Sequence, residues 1–115
     1  MKNIVGFSEL QQSGIGWEFE GCKFDNADIT FIIVDAAPGK GTALHNHPYD
    51  EVIIVLDGLG LFTIGGIKTE VSGGKIIRIP AGVPHKFINI GSNQLRQVDI
   101  HLNRKFITEW LPEYS

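Results

Sequence analysis

Three side chains in one short stretch have the types and spacing of a metal-binding set. His45 and His47 are two residues apart, so on a β-strand both imidazoles project from the same face. Residues 48–50 predict a bend or bulge that returns Glu51 toward the same point. A lone strand histidine is more often structural than a ligand, whereas a pair followed by a carboxylate favours a shared metal ion.

A second stretch, residues 74–89, supplies another histidine. Residues 80–82 (Pro-Ala-Gly) form a turn that delivers His85 to the start of a strand, where His85, Phe87 and Asn89 share one face. Imidazoles combined with a carboxylate suit Fe, Mn, Ni, Zn, Co or Cu, and suit Ca or Mg poorly. We therefore expect one divalent transition metal ion as the cofactor.

Both stretches resemble the sequence motifs of the cupin family. Residues 39–58 are similar to the first motif: Gly, five residues, His-x-His, three residues, Glu, six residues, Gly. Residues 74–89 are similar to the second: Gly, five residues, Pro-x-Gly, two residues, His, three residues, Asn. Every defining position matches, and fifteen residues separate the two motifs.

The resemblance implies an all-β fold, a cupin-type double-stranded β-helix (jelly-roll) barrel of two antiparallel sheets, with the metal inside near one end. It also assigns the ligand role to His45, His47, Glu51 and His85. These ligands leave positions on the ion open for water, dioxygen or a bidentate substrate.

The sequence leaves more than one role open for other residues near the motifs. Tyr49 is interpreted equally well as a pocket wall or as a surface aromatic residue. Arg78 interrupts an apolar strand, and a salt-bridged or solvated arginine is favoured over a contact with an anionic substrate. We expect Asn89 to support the ligands or a turn.

The strand predicted at residues 95–102 poses a question of orientation. Its residues alternate between an apolar and a polar face: Val98, Ile100 and Leu102 against Gln97, Asp99 and His101. If the polar face looked into the barrel, Gln97 and His101 would line the cavity and His101 could transfer protons. We favour the outward orientation, and we keep Glu51 and His101 as the candidate catalytic residues.

The elements that would position these residues are short strands separated by turns. Eight segments have β-type composition: residues 17–20, 31–34, 52–56, 59–64, 67–71, 76–79, 86–90 and 95–102. Residues 65–66 (Gly-Gly) predict a tight hairpin, and residues 91–93 predict another between the last two strands. Residues 8–11 resemble a capping box, which predicts a helical turn.

Several strands, including residues 31–34 and 52–56, are apolar at both odd and even positions. A solvated antiparallel strand should alternate, so both faces need cover, and we expect a homodimer formed through sheet faces. Residues 106–111 predict a helical turn or an arm. Packing of its apolar side chains on the barrel or on the partner is favoured over a role as a ligand-binding lid.

Length and composition limit the remaining possibilities. With 115 residues we expect one cupin domain spanning 1–115, with an N-terminal arm and strands at 1–25 and a C-terminal tail at 103–115. A net charge of −3 without a basic cluster argues against nucleic acid as a partner. No signal peptide or membrane span is apparent, and the single Cys22 fits a cytoplasmic location.

Two classes of function fit these observations. The first is a small metalloenzyme, dioxygenase-, decarboxylase- or isomerase-like, that acts on a small organic substrate. The second is a non-catalytic cupin that binds or senses a small ligand and holds its metal for structure. No helix-turn-helix segment is apparent, which disfavours a transcription factor.

Overall fold

Short strands carry nearly all of the regular structure in the computed structural model, which describes residues 3–113. Single 3-10 turns lie at Phe7–Glu9 and Gly21–Lys23. The strands, β1 to β11, are Gln11–Ser13, Gly16–Glu20, Thr30–Ala36, His45–Asn46, Glu51–Asp57, Leu59–Ile64, Ile67–Ser72, Lys75–Ile79, His85–Asn89, Leu95–His101 and Glu109–Trp110. The all-β prediction is confirmed.

The strands form two antiparallel sheets. The six-stranded sheet has the order β1-β2-β3-β10-β5-β8, and the five-stranded sheet has the order β11-β4-β9-β6-β7. Successive strands such as β5 and β6, or β9 and β10, lie in different sheets, so the chain crosses repeatedly from one layer to the other. This is the jelly-roll arrangement that the motif resemblance implies.

The hairpin predicted at residues 65–66 is present. Strands β6 and β7 pair up to Ile64 opposite Ile67, which leaves a two-residue turn. Gly65 and Gly66 both have positive φ, 57° and 84°, as the favoured two-residue hairpin turns require.

The second predicted hairpin, at residues 91–93, is wrong, because β9 and β10 belong to different sheets. The loop between them instead carries the chain across the barrel. Asn89 fastens it: its Nδ2 donates to the carbonyl of Asn93 at 2.8 Å, and its Oδ1 accepts from the N–H of Gly91 at 2.8 Å. Asn89 therefore supports a turn.

An apolar core fills part of the space between the sheets. Its buried side chains among the described residues are Val34, Ala36, Ile53, Val55, Phe62, Val71, Ile79, Phe87 and Leu95. Burial of one large apolar side chain contributes roughly 1.5–3 kcal/mol, so this cluster holds the two layers together.

The outer face of the six-stranded sheet is apolar as well. Strand register aligns one row across β2, β3, β10, β5 and β8: Trp17, Ile33, Val98, Ile54 and Ile76. A second row beside it contains Phe19, Phe31, Ile100 and Val52, and ends at Arg78. Most of these side chains are half-buried, and they explain why the sequence of these strands is apolar on both faces.

The terminal segments are extended. The helical turn predicted at residues 8–11 occurs slightly earlier, as the 3-10 turn at Phe7–Glu9. The segment 106–113 is an arm, as one of the two alternatives predicted, and its strand β11 pairs with β4, which places Trp110 opposite His45. Over residues 3–113 we find no helix long and apolar enough to span a membrane.

Candidate metal centre

The four predicted ligands meet inside the barrel. His45, Glu51 and His85 each begin a strand, and His47 follows the end of β4. Glu51 Oε1 lies 3.0 Å from His85 Nε2 and 3.3 Å from His47 Nε2. One donor atom from each residue lies within 4.8 Å of those from the others, and all four side chains are buried. The residues that sequence spacing singled out therefore form one internal cluster.

The bend between β4 and β5 is fastened to the turn that precedes β9. Asp50 accepts hydrogen bonds from the Arg78 guanidinium at 2.8 Å and from the Ala81 N–H at 2.9 Å. The N–H of Gly82 donates to the carbonyl of His47 at 2.7 Å. Arg78 is thus the salt-bridged surface residue that the sequence favoured. The same hydrogen bonds join the two motif segments without involving the four candidate ligand side chains.

Backbone carbonyls orient all three imidazoles. In each candidate histidine ligand the Nδ1–H donates to a backbone carbonyl: His45 to Ala43 at 2.7 Å, His47 to Ile107 at 2.9 Å and His85 to Val83 at 2.9 Å. This network assigns the proton to Nδ1 and leaves the Nε2 lone pair free inside the cluster. Within the part of the chain described, His47 Nε2 is buried and has no acceptable hydrogen-bond partner.

The charges of the cluster suit a cation. Burial lowers the pKa of His45 to about 4, so this imidazole is neutral near pH 7. Burial alone would raise the pKa of Glu51, but the surrounding imidazoles of His47, His85 and His101 hold it below its usual range. Neutral imidazoles and an ionised carboxylate are the protonation states in which these residues bind metal.

The donor set fits a transition metal ion. Metal–nitrogen bonds of about 2.1 Å place donors on opposite sides of an ion roughly 4.2 Å apart. The observed limit of 4.8 Å therefore requires only a small contraction of the cluster. The orphaned Nε2 of His47 gives a second reason, because a buried nitrogen without a hydrogen-bond partner is stabilised by a metal ligand bond.

The outward orientation expected for the polar face of β10 is wrong. Gln97, Asp99 and His101 are 1%, 4% and 3% exposed and point into the barrel, whereas Leu102 is 53% exposed. The reason is the apolar outer face of this sheet: the apolar side of β10 completes that face, which leaves its polar side for the interior. Because both faces of the sheet are apolar, the hydrophobic pattern of β10 alone could not indicate which side is inside.

Tyr49 is a supporting residue behind the cluster, neither a cavity wall nor a surface aromatic. Its ring stacks on His47 with centroids 5.1 Å apart, and its hydroxyl lies 2.6 Å from His101 Nδ1. The hydroxyl accepts from the Ile107 N–H at 3.3 Å and can donate to His101 Nδ1. His101 Nε2 then faces Glu51 Oε2, at 3.5 Å.

A cavity of about 410 Å³ opens beside the four ligands. Its remaining lining includes apolar side chains such as Ile53 and Phe87, the polar Asp99 and His101, and Trp110 from the C-terminal arm. The Trp110 ring lies 5.1 Å from the His45 ring. From the sequence, a position beside the cavity was only the less favoured alternative for this arm, because a two-residue strand leaves almost no periodic signal.

Comparison with known proteins places the chain in a family. A model described as the cupin domain matches residues 32–101, which is more than half of the chain. The chain therefore belongs to the cupin family.

Curated relatives match only part of their own length. An uncharacterized protein of Methanocaldococcus jannaschii is 42% identical over 59 residues, which is 50% of this chain and 47% of that protein. An uncharacterized protein of Streptomyces coelicolor is 40% identical over 68 residues, which is 59% of this chain and 63% of that protein. An HTH-type transcriptional activator, RhaS of Mannheimia succiniciproducens, is 28% identical over 72% of this chain and 31% of its own.

Solved structures share the fold. A mutant of oxalate decarboxylase from Bacillus subtilis superposes with a TM-score of 0.77 at 21% identity, over 90% of this chain and 30% of that chain. An oxalate oxidase superposes with a TM-score of 0.67 at 24% identity, over 75% and 47%. A Streptococcus pyogenes protein of unknown function superposes with a TM-score of 0.61 at 23% identity, over 67% of this chain and 66% of that chain. At these identities the likeness supports the fold alone.

Proposed function

We propose that this cupin binds one divalent transition metal ion through His45, His47, Glu51 and His85, and acts as a small metalloenzyme on a small organic substrate. The observation that carries the proposal is the convergence of three oriented Nε2 atoms and one carboxylate beside a cavity of about 410 Å³. Fe, Mn, Ni, Zn, Co and Cu all accept such a donor set.

A bound ion would act as a Lewis acid toward an oxygen of the substrate. The chain itself would hold and position that substrate within the cavity. Glu51 and His101 are the candidate catalytic residues, since both line the cavity and His101 Nε2 faces Glu51 Oε2 at 3.5 Å. Burial lowers the pKa of His101 to about 4, so its imidazole is neutral. With Nδ1 facing the Tyr49 hydroxyl, its Nε2–H can donate to Glu51 or to an oxygen of the substrate.

The fold neighbours include enzymes named for reactions of a small organic acid. Two of them are an oxalate decarboxylase and an oxalate oxidase, and a structure of the latter contains glycolate, described as a substrate analogue. We therefore propose a dioxygenase-, decarboxylase- or isomerase-like reaction on a small oxygen-rich compound. The cavity volume supports a small substrate.

A non-catalytic binding or sensing role is the second candidate. The observation that favours it is the match to about a third of an HTH-type transcriptional activator. In that role the same four residues would hold a metal for structure, or to bind a small ligand that is not converted.

Metal analysis tests the proposed centre. Protein reconstituted with Mn²⁺, Fe²⁺ or Zn²⁺ and then desalted should retain about one ion per chain by plasma mass spectrometry. His85→Ala and His45→Ala should lose it, whereas Arg78→Ala, which alters a surface ion pair near the same turn, should retain it. Equal metal content in all four proteins would refute the assignment.

Turnover separates the two candidate functions. The Mn²⁺-, Fe²⁺- and Zn²⁺-reconstituted proteins are each screened against small hydroxy, oxo and dicarboxylic acids. Oxygen uptake and product formation are measured against a blank that contains the free metal ion. Turnover lost in Glu51→Gln supports the enzyme. Saturable binding of the same compounds without conversion supports the binding module instead.

We also propose that the protein is a homodimer formed through the outer face of the six-stranded sheet. The two apolar rows described above support this, because a monomer would leave them facing solvent. A second copy of the same face is the simplest cover, since two-fold interfaces pair identical patches.

A further inference from the structure

Two buried polar side chains lie beyond the candidate metal centre on the interior face of β10. Gln97 Nε2 donates to Asp99 Oδ1 at 2.8 Å, and both residues are almost fully buried. Gln97 Oε1 is an orphan acceptor within the described part of the chain. Burying polar groups with incomplete hydrogen bonding costs free energy, and two apolar residues of similar shape would avoid that cost.

The surroundings of this pair are apolar. In the sheet register, Asp99 lies between Ile32 and Ile53, and Gln97 lies between Val34 and Val55. Within residues 3–113 no cation pairs with Asp99, although Glu51 lies close enough to influence its pKa. The pair therefore has no evident role in holding the barrel together.

The position of the Gln97–Asp99 pair relative to the candidate metal centre indicates that a bound small molecule could contact both. His101 is opposite Glu51 in the register, and Asp99 is two residues further along β10 on the same face, a step on the order of 7 Å. Asp99 lines the same cavity as the four candidate ligands. The cavity thus has a metal-binding end and, one step away along β10, a polar group whose neighbours on both adjacent strands are apolar.

We propose that Asp99, backed by Gln97, determines substrate specificity by hydrogen-bonding an uncharged oxygen group at the far end of a ligand whose near end occupies the metal centre. This inference rests on the proposed function and names its substrate class. The favoured substrate is a short organic compound with a chelating oxygen pair at one end and a hydroxyl or carbonyl at the other.

The chemistry of Asp99 excludes a second carboxylate at that far end. Burial, followed by the influence of Glu51, raises the pKa of Asp99 well above its usual value. A protonated Asp99 can donate to a hydroxyl or carbonyl oxygen, and an ionised one can accept from a hydroxyl. A ligand carboxylate at the far end would lie beside the acidic side chain of Asp99 and its apolar neighbours Ile32 and Ile53, and none of the residues that line the cavity is a Lys or Arg that could compensate its charge.

Three hydroxamic acids with the same chelating end test the proposal. Their far ends are a methyl, a hydroxyl and a carboxylate group: butanehydroxamic acid, 4-hydroxybutanehydroxamic acid and 3-carboxypropanehydroxamic acid. Calorimetric titration of the Zn²⁺-loaded protein should show about tenfold tighter binding of the hydroxyl compound than of the methyl compound, the effect expected for one buried hydrogen bond. The carboxylate compound should bind most weakly.

Variants at Asp99 complete the test. In Asp99→Leu the hydroxyl preference should disappear while the methyl compound still binds, and Asp99→Asn, whose amide can both donate and accept, should keep part of the preference. Equal binding of all three compounds by the wild type, or an unchanged preference in a folded Asp99→Leu, overturns the inference alone. Failure of every compound to bind, or no metal retained, overturns the proposed metal centre together with it.

Discussion

At the scale of single residues, the candidate centre is defined by the atoms behind the ligands. Three backbone carbonyls each accept an Nδ1–H, so the rings cannot turn without breaking a partly buried hydrogen bond. His101 differs from these three, because its Nδ1 faces the hydroxyl of Tyr49 instead. Backbone carbonyls therefore orient the three candidate histidine ligands, whereas a side-chain hydroxyl orients the candidate catalytic residue His101.

The contact between Tyr49 and His101 gives the first prediction. Tyr49→Phe leaves a buried imidazole nitrogen without its partner and should destabilise the protein by about 1 kcal/mol in urea unfolding. In a His101→Phe background the same substitution should cost clearly less, since the contact is already absent. Equal costs in both backgrounds would contradict the hydrogen bond.

The second prediction concerns pH. Burial lowers the pKa of His45 and of His101 to about 4, whereas a histidine in an unfolded chain titrates near 6.5. The unfolded metal-free chain binds more protons between these values, so stability should fall as the pH drops from about 6.5 to 4, by up to ~3 kcal/mol for each histidine. Urea unfolding in EDTA at several pH values measures this.

Asp99 provides the control for that measurement. Because its pKa is raised, Asp99 has the opposite effect on the free energy of unfolding: a group that is protonated in the folded state contributes less stability as the pH rises. Asp99→Asn should therefore make the loss of stability toward acid pH steeper. A stability that is independent of pH in both proteins would contradict the assigned burial.

At the scale of elements, the sequence predicted the strands better than their partners. All eight β-type segments occur as strands in the structure, because β-branched runs bounded by Gly and Pro leave a clear signal. The short strands β1, β4 and β11 were missed, since two or three residues have no period. The hairpin at residues 91–93 was wrong because a short polar loop can join strands within one sheet or between two.

The same limit applies to the site. His45, His47, Glu51 and His85 were found because their types and spacing form two recognisable motifs. The inward face of β10 was not, because its orientation depends on the outer surface of the whole sheet. The arm beside the cavity depends on a pairing between residues 45–46 and 109–110, which is too distant in sequence to be inferred from local pattern.

The C-terminal arm gives the third prediction. The carbonyl of Ile107 holds His47 Nδ1, so removing residues 106–115 should weaken metal binding about 10- to 100-fold in competition with a chelator. The core residues all precede this segment, so the barrel should stay folded by circular dichroism. Removal of residues 112–115 alone spares Ile107 and should leave the affinity nearly unchanged.

At the scale of the whole molecule, two exposed isoleucines allow a matched test of the proposed dimer. Ile76 is 72% exposed on the outer face of the six-stranded sheet, and Ile67 is 71% exposed on the five-stranded sheet. Ile76→Glu should weaken association at least tenfold in sedimentation or light scattering, whereas Ile67→Glu should not. A wild-type monomer at micromolar concentration would refute the dimer outright.

The tie between Asp50 and the turn at residues 80–82 has a consequence for how metal enters. Because that carboxylate and the Gly82 N–H join the two motif segments through the chain's own hydrogen bonds, we expect the pocket to persist when the metal is removed. Metal binding would then cost little free energy of folding, in contrast to zinc fingers, whose chains order only around their ion. We therefore expect that bound ions can exchange while the barrel stays folded, and that the identity of the metal depends on its supply and on its coordination preference.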